Sequence, residues 1–361
     1  MTPSSERPTA LVTAPFRGEG LDQLRSMADV VLDPWLDHRP LRLYSPEQLA
    51  ERITAEGATI VICEADLCAG PVFDLPLVAV GATRGEPTNV DVAAATAAGV
   101  PVLRAPGRNA DAVGEMTVAL VLCATRHLLA ADADVRAGEV FRDGTIPYQR
   151  FRAWQLSGRT AGLIGLGAAG RAVRWRLEGL GMRVIAFDPY ADDTDEVGAR
   201  VSLDELLDRS DVISLHAAVT PESAGMIGAK QFAAMRDGVV FVNAARAALH
   251  DTDALVGALA SGKVAAAALD HFEGEILPPN HPLVSMANVV LTPHIGGATY
   301  DTEANHSQMI AGDLARLLAG ERPLHCVNPE VLGVNPEVLG VNPEVLGVNP
   351  EVLGVNPEVL A

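Results

Sequence analysis

Between Leu269 and Glu275 the chain reads LDHFEGE, which packs Asp270, His271, Glu273 and Glu275 into six positions of an otherwise Ala- and Val-rich neighbourhood. Each of the four could do proton chemistry or merely face water. Two further ionisable groups stand beside apolar runs, Arg246 in VNAARAALHD and His294 in LTPHIGG. A single imidazole in an apolar setting is more often structural than catalytic, so His294 alone carries little weight.

A second chemical signal lies upstream, in GLIGLGAAG. Gly165, Gly167 and Gly170 have the G-x-G-x-x-G spacing directly after an apolar strand and at the start of AAGRAVRWRLEGLG. The first glycine permits a tight turn, the second lets backbone approach a pyrophosphate, and the third lets helix and strand pack closely. The phosphate charge then meets the free N–H groups of a helix N-terminus. Ala168 and Ala169 are small and apolar, so pyrophosphate contact there rests on backbone N–H groups. The next apolar run, MRVIAFD, ends in Asp188, eighteen positions after Gly170. A carboxylate at that distance suits the adenosine ribose hydroxyls and repels a 2'-phosphate, so the expected cofactor is NAD rather than NADP.

These groups need elements to hold them. From Ala10 to about Leu103, short apolar runs (ALVTA, TIVIC, LVAV) alternate with amphipathic stretches such as SPEQLAERITAEG. After a long helical stretch from Ala112 to Ala131, a second series follows: AGLIGLG, MRVIAFD, DVISLHA, GVVFVNA, VAAAALD and NVVLTPH. Strand–helix alternation of this kind predicts parallel α/β sheets, and six strands in the second series match a doubly wound nucleotide-binding domain. In such sheets ligands sit beyond the strand ends, where Arg246, LDHFEGE and His294 would converge. A last amphipathic helix is expected from about Asp301 to Leu318.

Composition narrows the partners. Of 361 residues 48% are hydrophobic, enough for a sizeable core and two domains. Lys and Arg number 27 against 46 Asp and Glu, a net charge of −19 that disfavours nucleic acid and anionic membranes and leaves a small metabolite as the fitting partner. The opening MTPSSERPTALVTAPF lacks a basic start followed by a long apolar run, and Ala112 to Ala131 contains Glu115, Arg126 and His127, a poor membrane span. Cys63, Cys68, Cys123 and Cys326 lack metal-site spacing, so no metal is expected, and they read as buried thiols in a reducing cytoplasm.

Several segments in order resemble the D-isomer-specific 2-hydroxyacid dehydrogenase family, which includes phosphoglycerate dehydrogenases and glyoxylate/hydroxypyruvate reductases. They are TNVDVAAATAAGVPV, GRNADAVGEMTVALVL, LSGRTAGLIGLGAAG, DVISLHAAVTPES, VNAARAALHD, LDHFEGEILPPNHPL and NVVLTPHIGGAT. The resemblance implies a Rossmann-type doubly wound sheet over residues 106–292, and a smaller flavodoxin-like α/β substrate domain from 1–105 and 293–326. It implies NAD-dependent interconversion of a D-2-hydroxy acid and its 2-keto acid, and a homodimer through the nucleotide-binding domains. An NAD(H)-sensing binding protein or corepressor on the same fold is the alternative, because fold alone does not fix function.

Residue by residue, the resemblance implies that Arg246 holds the substrate carboxylate, His294 is the general acid–base group and Glu275 is its paired carboxylate. A neighbouring carboxylate favours imidazolium, raises a histidine above its usual value of roughly 6.5 and fixes the ring. Asp270 carries over as a nicotinamide contact, and His216, Ala244, Gly296 and Gly297 as further cofactor contacts. His271 and Glu273 have no matching role. Arg84 and Gly85 sit where the substrate-carboxylate loop should lie, and the neighbouring Glu86 would disfavour a highly anionic substrate. The chain departs from the family pattern at Ile276, where a proline usually follows the catalytic Glu, and at Ala247 and Ala218. The absent proline leaves the placement of Glu275 to be tested.

The core is expected to end near Leu332. From Val327 the unit VNPEVLG occurs five times, the last closing as VNPEVLA. A proline in every unit forbids a continuous helix. Residues 327–361 therefore read as a mobile tail, with an assembly arm or a stacked-turn solenoid as the alternative.

Overall fold

The protein is described by a computed structural model covering residues 7–191 and 200–333. Two compact units emerge, one from Met1–Arg108 with Tyr300–Ala361, the other from Asn109–Thr299.

The first unit is built on a five-stranded parallel sheet: β1 (Thr9–Val12), β2 (Asp29–Leu32), β3 (Ile60–Cys63), β4 (Ala79–Ala82) and β5 (Val102–Leu103), in the order β2-β1-β3-β4-β5. This is the flavodoxin-like order. Every residue of β3 and β4 is buried. Strands covered on both faces read as unbroken apolar runs, and that is how IVIC and AVGA read in the sequence. Helix Pro46–Glu56 starts at a Ser45–Gln48 capping box and stops at Gly57, whose left-handed backbone closes the last turn. Helix Tyr300–Leu318 lies against helix Gly18–Met27 so tightly that a β-carbon on Gly20 would stand 2.2 Å from the Ser307 backbone.

The first VNPEVLG unit belongs to this fold, which corrects the expectation of a tail mobile from residue 327. Asn328 is buried; its Oδ1 accepts from Val102 N (2.8 Å), and its Nδ2 donates to Val100 O (2.9 Å) and Thr96 Oγ1 (3.1 Å). Val327 N donates to Val102 O at 2.8 Å. A short 3-10 turn, Pro329–Gly333, follows. The remaining copies lie outside the described residues.

In the second unit the six expected strands form one parallel sheet: β6 (Thr160–Ile164), β7 (Arg183–Phe187), β8 (Val212–Leu215), β9 (Val239–Asn243), β10 (Val264–Leu269) and β11 (Val289–Leu291). The order is β11-β10-β9-β8-β6-β7, and a single parallel bridge between Ala186 and Arg200 adds a vestigial strand outside β7. The direction of winding reverses between β6 and β8, and there a doubly wound sheet opens a crevice at its carboxyl edge. One cluster of buried side chains includes Leu215, Phe232 and Phe241, another Val121, Leu163, Val173 and Val242.

Two boundaries move relative to the sequence reading. The stretch expected to be helical from Ala112 to Ala131 is broken: helix Ala110–Arg126 ends at His127, which takes the left-handed conformation, and helix Leu128–Ala137 leaves at 63°. Among the described residues no single helix is long and apolar enough to cross a membrane, and these two pass that test only when taken together. Residues 293–299, expected in the first unit, belong to the second, because a buried carboxylate described below ties them to β10. Cys63 and Cys68 are buried free thiols, whereas Cys123 and Cys326 are only partly buried.

Candidate active site

The glycine loop shows what each glycine is for. Gly165 leaves β6 with φ of 99°, and a β-carbon there would meet Ala217 N at 2.5 Å. On Gly170 it would meet the Gly165 carbonyl oxygen at 2.2 Å. On Gly167 it would meet nothing within 4 Å. Two glycines are thus required by the protein's own packing, and the middle one keeps open the space that a pyrophosphate needs. Helix Ala168–Gly179 begins there with no side-chain cap, so its first N–H groups, including those of Ala168 and Ala169, are left for a ligand. These features fit a dinucleotide.

Asp188 follows β7 and is bound to the loop itself: its Oδ2 accepts from Leu166 N (2.7 Å) and its Oδ1 from Tyr190 N (2.8 Å). Each oxygen keeps a lone pair for another donor. His216, at the end of β8, backs the glycine turn, and its Nε2 pairs with Ser214 Oγ at 2.9 Å. Burial pushes its pKa down to about 4, so the ring is neutral near pH 7. Ala244 is buried after β9.

At the ends of β10 and β11 the candidate acid–base groups meet. His294 Nδ1 lies 2.8 Å from Glu275 Oε1. The loop without the usual proline therefore holds Glu275 within reach of His294, while Ile276 points to solvent. Both residues sit at positive φ, 59° for Glu275 and 55° for His294. Non-glycine residues adopt this conformation rarely and at a cost of about 1–3 kcal/mol each, a form of strain that concentrates at functional sites.

Asp270 supplies the restraint. It is fully buried, and its Oδ1 accepts from Thr292 Oγ1 (2.6 Å) and Ile295 N (3.0 Å) while its Oδ2 accepts from Gly296 N (2.7 Å). The resemblance implied a nicotinamide contact; what the structure adds is that both oxygens also hold the His294 loop from inside. Gly296 follows from the same packing, since a β-carbon there would stand 2.9 Å from Asp270 Oδ2, and one on Gly297 would stand 2.8 Å from Asn109 Nδ2.

Comparison with known proteins gives the family. Residues 118–296 match the family model described as D-isomer specific 2-hydroxyacid dehydrogenase, NAD binding domain. A glyoxylate reductase of Thermofilum pendens is 35% identical over 340 residues, covering 91% of this chain and 96% of that protein. The chain belongs to the D-isomer-specific 2-hydroxyacid dehydrogenase family. A D-3-phosphoglycerate dehydrogenase of Archaeoglobus fulgidus is 41% identical over 243 residues, which is 66% of this chain but 45% of that longer protein. The crystal structure of D-lactate dehydrogenase with NAD+ from Lactobacillus jensenii superposes with a TM-score of 0.74 at 25% identity, covering 88% of this chain and 99% of that one. This chain is accordingly an NAD-dependent dehydrogenase.

The remaining groups of this dehydrogenase fall into place around the sheet edge. Arg246 is exposed, caps the short turn Ala247–Leu249 and donates from Nη1 to the Ala245 carbonyl at 2.7 Å. The turn that presents it is built by Asn243, a residue the sequence reading passed over. Asn243 is buried, donates from Nδ2 to Arg246 O (2.8 Å), contacts His250 Nδ1 (3.0 Å) and accepts at Oδ1 from Ala245 N (3.0 Å). An Asn two residues before a turn it bonds is a recognisable side-chain-to-backbone motif. Ala247 is accommodated without positive φ.

His271 also gains a place that the sequence did not suggest. It is buried, with its ring centroid 3.8 Å from that of His294 and the planes tilted by 53°. Burial, followed by the charges of His294 and Arg246, pushes its pKa down to about 4. A neutral ring thus backs His294. Glu273 is exposed in the turn, as expected of a solvated acid.

In the first unit, Arg84 follows β4 and its Nη1 donates to Thr88 Oγ1 at 3.3 Å, and Gly85 is half-buried beside it. The charge of Glu86 is met by Arg104 Nη1 at 2.7 Å, which weakens the argument that Glu86 repels an anionic substrate.

Proposed function

We propose that this enzyme interconverts a D-2-hydroxy acid and its 2-keto acid, with His294, Glu275 and Arg246 as the groups that act on the substrate. The observation that carries the reading is the 2.8 Å contact of His294 Nδ1 with Glu275 Oε1 at the carboxyl edge of the dinucleotide sheet. With Nδ1–H donated to Glu275, His294 Nε2 holds the lone pair and takes the hydroxyl proton during oxidation; in reduction it returns the proton to the carbonyl oxygen. Glu275 fixes the tautomer and offsets the positive charge that develops on the ring. Arg246, exposed and planar, is suited to a bidentate hold on the substrate carboxylate. Bound NAD supplies the hydride acceptor.

Asp188 supports NAD over NADP, since a carboxylate at the ribose repels a 2'-phosphate. Two backbone N–H groups, one of them from the glycine loop, hold the carboxylate in place. Arg84 and Gly85 are read as substrate-side groups, and the glyoxylate reductase relative makes short 2-keto acids the first class to try. Leu129, Val135, Phe141, Tyr148 and Trp154 are exposed apolar residues along 128–154. Such a surface supports a homodimer made through this unit. The free thiols suit a reducing cytoplasm.

The test is NADH oxidation over glyoxylate, hydroxypyruvate, pyruvate, longer 2-keto acids and phosphorylated analogues, with NADPH in parallel and sizing chromatography of the same sample. Turnover with NADH on at least one acid is expected. Tight NAD binding with no turnover on any of them would instead favour a sensor.

A further inference from the structure

We propose that His271, Glu275 and His294 form a binding site for a divalent transition ion of the zinc class, which occupies the place of the shared His294–Glu275 proton. One ring nitrogen from each histidine and one oxygen of Glu275 all lie within 4.8 Å of one another. The set is two imidazoles and a carboxylate, the donors that zinc takes when it retains an open coordination position. Donors about 2.1 Å from a tetrahedral ion stand roughly 3.4 Å apart. The His294–Glu275 contact of 2.8 Å therefore needs to widen by only about half an ångström.

Two features favour an ion over a merely crowded cluster. His271 is buried beside His294 with the two ring centroids 3.8 Å apart, which brings a nitrogen of each close to the Glu275 carboxylate. The other two donors approach from separate loops whose backbones are already fixed: Glu275 by the turn after β10, His294 by Asp270. Donors carried on fixed backbones need less ordering when an ion binds. With Glu275 and His294 partly exposed, the ion can enter from solvent and keep its remaining positions for water or for a 2-hydroxy acid, whose carboxylate and hydroxyl oxygens can chelate it together.

The binding claim stands apart from the catalytic reading; only its inhibitory effect rests on that reading. The experiment titrates Co²⁺ into the metal-free full chain by calorimetry and visible absorption, for wild type, His271→Phe and Glu275→Gln. Phe keeps the ring that packs on His294 and removes the nitrogens. One ion per chain is expected, bound at least about ten-fold more weakly in each variant. An affinity unchanged by both substitutions, or no bound ion, overturns the proposal. Should His271→Phe fail to fold by circular dichroism, the exposed Glu275→Gln variant decides alone. Zn²⁺ added to the NADH assay is expected to abolish turnover in step with occupancy. If no 2-keto acid is turned over at all, the catalytic reading fails while the calorimetry still decides the site.

Discussion

The glycine loop after β6 and the His294 loop after β11 lie on the same edge of one sheet but are made in opposite ways. The first works by the absence of side chains: Gly165 and Gly170 leave no room for a β-carbon, and Gly167 keeps space open. The second works by their presence, with a buried Asp270 accepting from three groups of the neighbouring segment and two non-glycine residues held at positive φ. A cofactor's diphosphate is recognised by backbone, which every sequence has, so selection acts on what must be missing. Proton transfer needs a particular nitrogen at a particular place, so it requires an internal brace.

The comparison can be broken at several points. His294→Ala is expected to lower turnover by roughly 10²- to 10⁴-fold with NAD affinity unchanged, as measured by steady-state kinetics and calorimetry. A matching loss of NAD affinity would show that the two loops are not separable. Asp270→Asn keeps the imidazole itself but turns one carboxylate oxygen into an amide NH2 that faces an N–H or hydroxyl donor, whichever way the amide is flipped, and so pushes the His294 loop away. Displacement of His294 is expected to reduce kcat by up to about 10²-fold, alongside a lower melting temperature.

The glycine loop should divide internally. Gly170→Ala places a β-carbon against a carbonyl and is expected to unfold or strongly destabilise the second unit. Gly167→Ala is expected to preserve the melting temperature and weaken NAD binding by about ten-fold, since its β-carbon meets only the ligand's space. Equal melting temperatures for the two variants would contradict the division.

The most gradual effect concerns pH. His216 and His271 have pKa values of about 4 in the folded chain against roughly 6.5 when unfolded. Between those values the unfolded chain binds more protons, so stability falls as pH drops through the window, and these two groups add no further loss below its lower end. Each contributes at most about 1.4 kcal/mol per pH unit. Thermal midpoints should therefore decline steadily from neutral pH toward the lower limit; a flat profile there would show that the rings are hydrated rather than buried.

Both sheets were legible because parallel strands buried on two faces must be continuous runs of apolar residues, and VVFVN or TAGLI admits few other readings. Gly165, Gly167, Gly170 and Asp188 were legible through spacing, which local geometry enforces. The brace was not. Asp270 and His271 are adjacent in sequence, yet one clamps a loop reached only after β11 and the other stacks on its histidine, relations created by tertiary packing. Nothing in the residue types announces positive φ at Glu275, His294 or the helix break at His127. Asn328 carries no signal of its own either, since the same asparagine stands in every copy of the repeat and only the contacts with Thr96–Val102 give the first one a structural role.

That first copy also bears on how such a sequence can change. The Thr96–Val102 segment grips one asparagine in VNPEVLG, and every copy carries the same asparagine. Gain or loss of whole units by unequal recombination leaves an identical VNPEVLG at 327–333 as long as two or more copies stay. The asparagine that Thr96–Val102 grips is therefore supplied at the same position whatever the number of copies that follow it.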